Sequence, residues 1–270
     1  MNEQESKQLE LYVKSLKDTI ELSMTRLEDR WNAWPINANE IEIHEVIGAI
    51  IARQISLAKS FADNPQLWNN DLAPLFLRAM TENYITLNWI LQEPLDRVRK
   101  FIEYGIGNEK LQIEKRKLIL EEQGEDPDED EAEMIESRSQ WIDFHRYSFL
   151  TTVDVGSWSG ISTRQMAIDS GCKDFYDLVY NPFSNCTHSS WNHIGKYNVK
   201  MSENPMHKFL RLPYVHKGEI ESFYANLSIK YLSMVFNSFE EKYFPEVEDE
   251  SIRDFYYSKL EKAFKLNKYQ

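Results

Sequence analysis

Tyr176, Tyr180, Ser184 and His188 follow one another at intervals of four. On an α-helix a step of four drifts only about 40°, so the spacing predicts one polar stripe. A histidine there is a candidate general acid or base near neutral pH. Ser184, one turn away, makes a candidate nucleophile for it. A serine nucleophile also needs an oxyanion hole and a group orienting the histidine, and the sequence identifies neither. The competing reading is a histidine hydrogen-bonded within the core. Cys186, His188 and His193 lack the spacing of a zinc site, so no metal and no cofactor is expected.

A second group lies in "LFLRAMTENYITLNWI", where Arg78 precedes Glu82 by one turn. Leu75, Glu82 and Trp89 are seven apart and share a helix face. The segment is apolar almost all round, which predicts a central helix with Glu82 pointing inward. A buried carboxylate needs a donor, and Arg78 is in register to supply it. Such a pair either fixes helix register or anchors a site.

These residues need helices to carry them. Apolar residues at Leu9, Val13, Leu16, Ile20, Met24, Leu27 and Trp31 predict an amphipathic first helix ended near Pro35. Further helices are expected over 40–61, 71–92 and 94–122, with Pro94 in a first turn and Gly105 and Gly107 weakening the middle of the last. A fifth is expected over 132–147. Ser162 with Gln165 reads as a capping box for a short helix that Gly171 stops. Residues 173–191 read as a helix kinked at Pro182. The stretch 197–218 reads as irregular, and two final helices cover 219–243 and 251–266. No alternating strand pattern is evident. The fold class is all-α: a single bundle of roughly eight helices. Residues 1–39 form its N-terminal amphipathic helix and 40–270 its helical domain.

Composition narrows the function classes. The 270 residues are 42% hydrophobic with nine Gly and nine Pro, enough for a core and sparse in turns. The formal net charge of −13 disfavours a generic nucleic-acid surface. Nine acidic residues and no basic one fall within residues 121–133, predicting a solvated, mobile linker that contributes nothing to folding. There is no apolar leader and no apolar run of about 18 residues, so no membrane span is expected. Two cysteines fit a reducing, cytoplasmic location.

The stretch "WSGISTRQMAIDSGCKDFYDLVYNPFSNCTHSS" resembles the signature of domain-of-unknown-function family 5677, a bacterial group. The matching positions are Trp158, Ser159, Gly160, Arg164, Met166, Ala167, Tyr176, Tyr180, Ser184 and His188, with Arg78, Glu82, Phe101 and Tyr104 earlier. The likeness covers residues 72–190. That family is distantly similar to HEPN-type helical bundles of toxin and phage-defence systems, whose active members cleave RNA without metal through an Arg-x(4–6)-His motif. Many relatives carry the arginine of such a motif where this chain has Asn181. Two other matches, Arg138 with His145 and Arg211 with His216, fall outside the signature.

The resemblance implies a metal-independent RNA-cleaving site. His188 would be the acid or base, Arg164 or Arg78 would offset phosphorane charge, and Tyr180 and Ser184 would position the substrate. Arg78, Glu82, Trp158 and Tyr176 would complete the binding surface, all converging in one place. The alternatives are an interaction protein whose polar cluster is structural, with the N-terminal helix as its dimer or partner surface, and a small-molecule sensor lined by Trp158, Tyr176 and Arg164.

Overall fold

A computed structural model describes residues 3–124, 126–149 and 159–267. The expected all-α class holds. The long helices are α1 (Glu3–Ala33), α2 (Ile41–Asp63), α3 (Ala73–Gln92), α4 (Pro94–Gln123) and α5 (Glu129–Phe149). Shorter pieces follow: α6 (Thr163–Asp169), α7 (Lys173–Phe175), a π-helical turn over Tyr176–Tyr180, α8 (Asn181–Thr187) and α9 (Trp191–Tyr197). The chain ends with α10 (Ser222–Tyr243) and α11 (Ile252–Asn267). The short pieces raise the helix count above the roughly eight expected. Strands β1 (Val199–Met201) and β2 (Arg211–Pro213) pair antiparallel inside the stretch expected to be irregular. At three residues each, they are too short to show an alternating pattern.

Helix α3 is central, as its apolar circumference predicts: it packs against α2, α4, α6, α8 and α10. Leu77, Met80, Ile85, Leu87 and Ile90 on it are fully buried. They meet Ile47, Ile51 and Phe61 of α2 and Ile229, Leu232 and Phe236 of α10 in one continuous core.

Helix α1 belongs to that core through Leu16 and Ile20, but its apolar stripe is not its buried face throughout. Met24 and Trp31 stay exposed, while Ser15, Thr19 and Ser23 are buried. Each of those hydroxyls donates to the carbonyl four residues earlier, so none of the three is an unmet donor. Arg26 and Arg30 carry the helix end. Arg26 donates to the Glu250 carbonyl at 2.7 Å, and Arg30 pairs with Glu240 at 2.9 Å and with Asp249.

The acidic run differs from expectation. Glu121 and Glu122 belong to α4, and α5 begins at Glu129, so the run forms the tip of an α4–α5 hairpin rather than a long linker. Gly124 ends α4 in the left-handed conformation (φ 65°). Asp128 caps α5, its Oδ1 accepting the Glu131 N–H at 2.9 Å. An ion pair joins Arg116 to Glu131 across the hairpin. Charge is tolerated there because the sites are solvated helix ends, and acidic residues favour a helix N-terminus. The hairpin has a small core of its own, Ile106, Ile113 and Ile142. Helix α4 runs unbroken through Gly105 and Gly107.

Candidate functional site

The local geometry starts from Pro182. A proline has no N–H to donate, and its ring clashes with the carbonyl four residues back. The chain answers by widening: the Asn181 N–H reaches back to the Tyr176 carbonyl, an i→i+5 bond that makes Tyr176–Tyr180 a π-helical turn. Helix α8 then restarts with Pro182 in its first turn, where no donor is required. The expected kink is therefore an inserted residue in the ladder.

This turn sets the polar stripe against α3. The Tyr176 and Tyr180 rings stack at 4.9 Å with 23° between planes. Tyr180 is buried, and its hydroxyl accepts a hydrogen bond from Arg78 Nη2 at 2.7 Å. Ser184, one turn on, accepts from Arg78 Nε at 2.9 Å. The guanidinium carbon also lies 4.9 Å from the Tyr180 ring centroid, a cation–π contact. Arg78 Nη1 faces Glu82 Oε2 at 3.3 Å. Thus Glu82, Tyr180 and Ser184, all singled out in the sequence, meet around the Arg78 guanidinium, with Tyr176 stacked on Tyr180.

Glu82 does not point inward. Its side chain is 42% exposed, against 23% for Arg78. The buried face of α3 passes through Leu77, Thr81 and Ile85 and leaves positions 75 and 82 at its edge, so Leu75 is exposed as well. The apolar surroundings come from the C-terminal half, where Trp89, Ile90 and Leu91 are all buried. The pair is half-solvated, and water shares the task of satisfying Glu82.

Burial raises the Tyr180 hydroxyl above its ordinary pKa, and Glu82 adds to the shift. Arg78 and a hydrogen bond with Thr163 oppose it. Tyr180 is therefore a neutral hydroxyl at physiological pH and not a base. Arg164 is exposed on α6, whose N-terminus is capped as expected by Ser162, accepting the Gln165 N–H at 3.2 Å. Its charge joins the Lys173 ammonium, the larger influence, in holding exposed Asp177 below the usual carboxylate range. Trp158 lies outside the described residues.

His188 is exposed and forms the C-cap of α8, its backbone N–H bonded to the Ser184 carbonyl at 3.0 Å. Among the described residues, its ring bonds to none of the Arg78 group. Ser189 follows in the left-handed region, with φ 48°. The Ser189 N–H bonds the Cys186 carbonyl and the Ser190 N–H the Asn185 carbonyl, which closes α8 with a Schellman motif. A serine holds the position that usually takes glycine, so the backbone beside His188 is strained.

A second constellation was not visible in the sequence. Buried His193 sits 3.1 Å through Nε2 from Asp71 Oδ1. The Cys186 thiol donates to the Asp71 backbone carbonyl at 3.0 Å. Burial, with Asp71 nearby, pushes that thiol up to about 11, so it is a neutral donor and not a nucleophile. These partners are more than 100 residues apart in the chain, and no local spacing announces them. The two other Arg/His pairs are engaged elsewhere. Arg138 binds Glu109 and Gln112 across the hairpin, and His216 Nδ1 accepts the Gly218 N–H. No cluster of three or more metal-ligating side chains occurs among the described residues. No described helix is long and apolar enough to cross a membrane.

No curated protein and no solved structure matches the chain. One family profile does, over residues 44–206, a span that begins in α2 and takes in the whole Arg78–Tyr180–Ser184 group together with His188. The match covers more than half of the sequence, and the chain belongs to the family of unknown function DUF5677.

Proposed function

We propose that the surface around Arg78 and His188 binds an RNA phosphodiester and cleaves it without a metal, in the manner of the HEPN-type bundles that the signature resembles. The observation that supports this most is the aiming of Arg78. Two hydroxyls, Tyr180 from the π turn and Ser184 from the α8 segment, hold the guanidinium, and its donor fork is not exhausted by them. The same segment ends, one turn later, at exposed His188. In this reading His188 takes the proton of a 2′-hydroxyl. The 2′-oxygen attacks phosphorus, a 2′,3′-cyclic phosphate forms, and the 5′-oxygen leaves with a proton from water, whose hydroxide takes back the proton held by His188. Arg78, with Arg164 nearby on α6, offsets the added charge of the phosphorane. Tyr180 and Ser184 act through Arg78 rather than on the substrate. Cleavage of cellular RNA would make the protein a toxin or defence effector.

A second reading has its own support: Glu82, Tyr180 and Ser184 already occupy all three nitrogens of Arg78. A guanidinium so engaged also serves as a plain rivet between α3 and α8, in a protein that acts by binding a partner. Expression of wild type and of His188→Ala in a growth assay separates the two. Growth arrest by wild type and relief by the variant, at equal protein level, favours the nuclease. No arrest by wild type at high expression favours the rivet.

A further inference from the structure

Helices α2, α3, α4 and α5 border an open pocket of about 400 Å³, lined by apolar Val46, Ile50 and Ile106 and also by Glu45, Arg53 and His145. The size lies within the range of small-molecule sites. Two features of its wall bear on what the pocket could hold. The first is Gly105 in the middle of α4. Glycine weakens a helix interior, and it earns a place through a positive φ, close packing or the approach of a ligand. Gly105 has no positive φ, and a Cβ there would meet nothing within 4 Å. Gly48 shows the contrast: a Cβ there would come within 2.8 Å of the Trp31 ring, so packing accounts for it. Gly105 is exposed, and what it provides is open space along the pocket wall.

The second feature is Asn83. Its Nδ2 donates to the Ile50 carbonyl at 2.9 Å and to Gln54 Oε1 at 3.0 Å, which locks the side chain. Among the described residues nothing donates to its Oδ1, so the amide offers a fixed acceptor in the pocket wall. Trp141, partly exposed at the mouth, is the aromatic member of the wall, with the His145 ring packed against it at 4.0 Å between centroids.

We infer that this pocket binds a small planar aromatic molecule bearing an N–H donor, with the ring alongside Trp141, its edge over Gly105 and its donor on Asn83 Oδ1. The site is separate from the Arg78 group, so its fate does not depend on the nuclease reading. The experiment uses indole as probe, and benzothiophene as the same shape without the donor, with binding read by saturation-transfer NMR on the whole chain. Indole should bind saturably, and benzothiophene about three- to tenfold more weakly, the worth of one hydrogen bond. Gly105→Leu, filling that open space, should weaken indole about tenfold or more. Gly105→Ala should raise the melting temperature, because nothing within the chain needs the glycine. No saturable indole binding by wild type, equal binding of the two probes, undiminished binding by Gly105→Leu, or a lower melting temperature for Gly105→Ala would each overturn the inference.

Discussion

Removing one hydroxyl tests whether Arg78 is held as described. Tyr180→Phe deletes the acceptor 2.7 Å from Nη2 but keeps the ring under the guanidinium, so stacking survives. A hydrogen bond to a charged group contributes about 1.5–3 kcal/mol where it is dry. The Arg78 side chain is 23% exposed and keeps Ser184 and Glu82, so water replaces part of the loss. The expected cost is about 1–2 kcal/mol, at the low end of that range. For a chain of this size that lowers the melting temperature by about 2–6 °C. Ser184→Ala, losing the 2.9 Å bond to Nε, should cost somewhat less. The double variant should depart from additivity by about 0.5–1.5 kcal/mol, because both hydroxyls fix one guanidinium. Urea denaturation of wild type, the two singles and the double supplies the cycle. A Tyr180→Phe effect within about 0.3 kcal/mol, or strict additivity, would refute the shared grip on Arg78.

Three other outcomes follow from particular residues. Ser189→Gly should stabilise the protein by about 0.5–1 kcal/mol by relieving the left-handed strain beside His188; a loss of stability would mean that the serine has an unseen partner. Asp128→Ala should cost about 1 kcal/mol, and amide exchange should show the loss in α5 rather than in the main core; uniform loosening would mean that the hairpin is not a separate cluster. Burial pushes the Tyr84, Tyr224 and Tyr243 hydroxyls up to about 12, and raised folded-state values mean stability that is whole below pH about 10 and lost as pH climbs through about 12. Chemical denaturation at stepped pH should find that decline, and flat stability across the window would contradict the burial of these rings.

Much of the fold is legible because its signals are local. Pro94 and Gly171 mark helix ends where the chain uses them, and Ser162 caps α6. The spacing of Arg78 and Glu82 foretells their ion pair, and the apolar circumference of α3 foretells its central place. Signals fail where the outcome depends on distant contacts. Pro182 announces a break, but only packing against α3 decides that the break is a π turn that turns Tyr180 and Ser184 toward Arg78. Heptad spacing puts Glu82 and Trp89 on one face but cannot say how deep that face lies at each end of the helix. The acidic run reads as solvated, yet Glu121, Glu122 and Glu129 extend helices because Gly124 and Asp128 supply the hairpin turn. The Asp71–His193 pair joins positions with no sequence relation and could not be read at all.

The central claim, RNA cleavage through His188 beside a fixed Arg78, is tested most directly by incubating purified protein with a labelled single-stranded RNA in the presence of a chelator and resolving the products. The account predicts fragments ending in a 2′,3′-cyclic phosphate from wild type, none from the same strand with 2′-deoxy sugars, and a rate lower by about 10²–10⁴-fold for His188→Ala. Because His188 is exposed, that variant should melt with wild type. Cleavage that persists undiminished in His188→Ala, or wild-type protein that leaves the RNA intact, would contradict it.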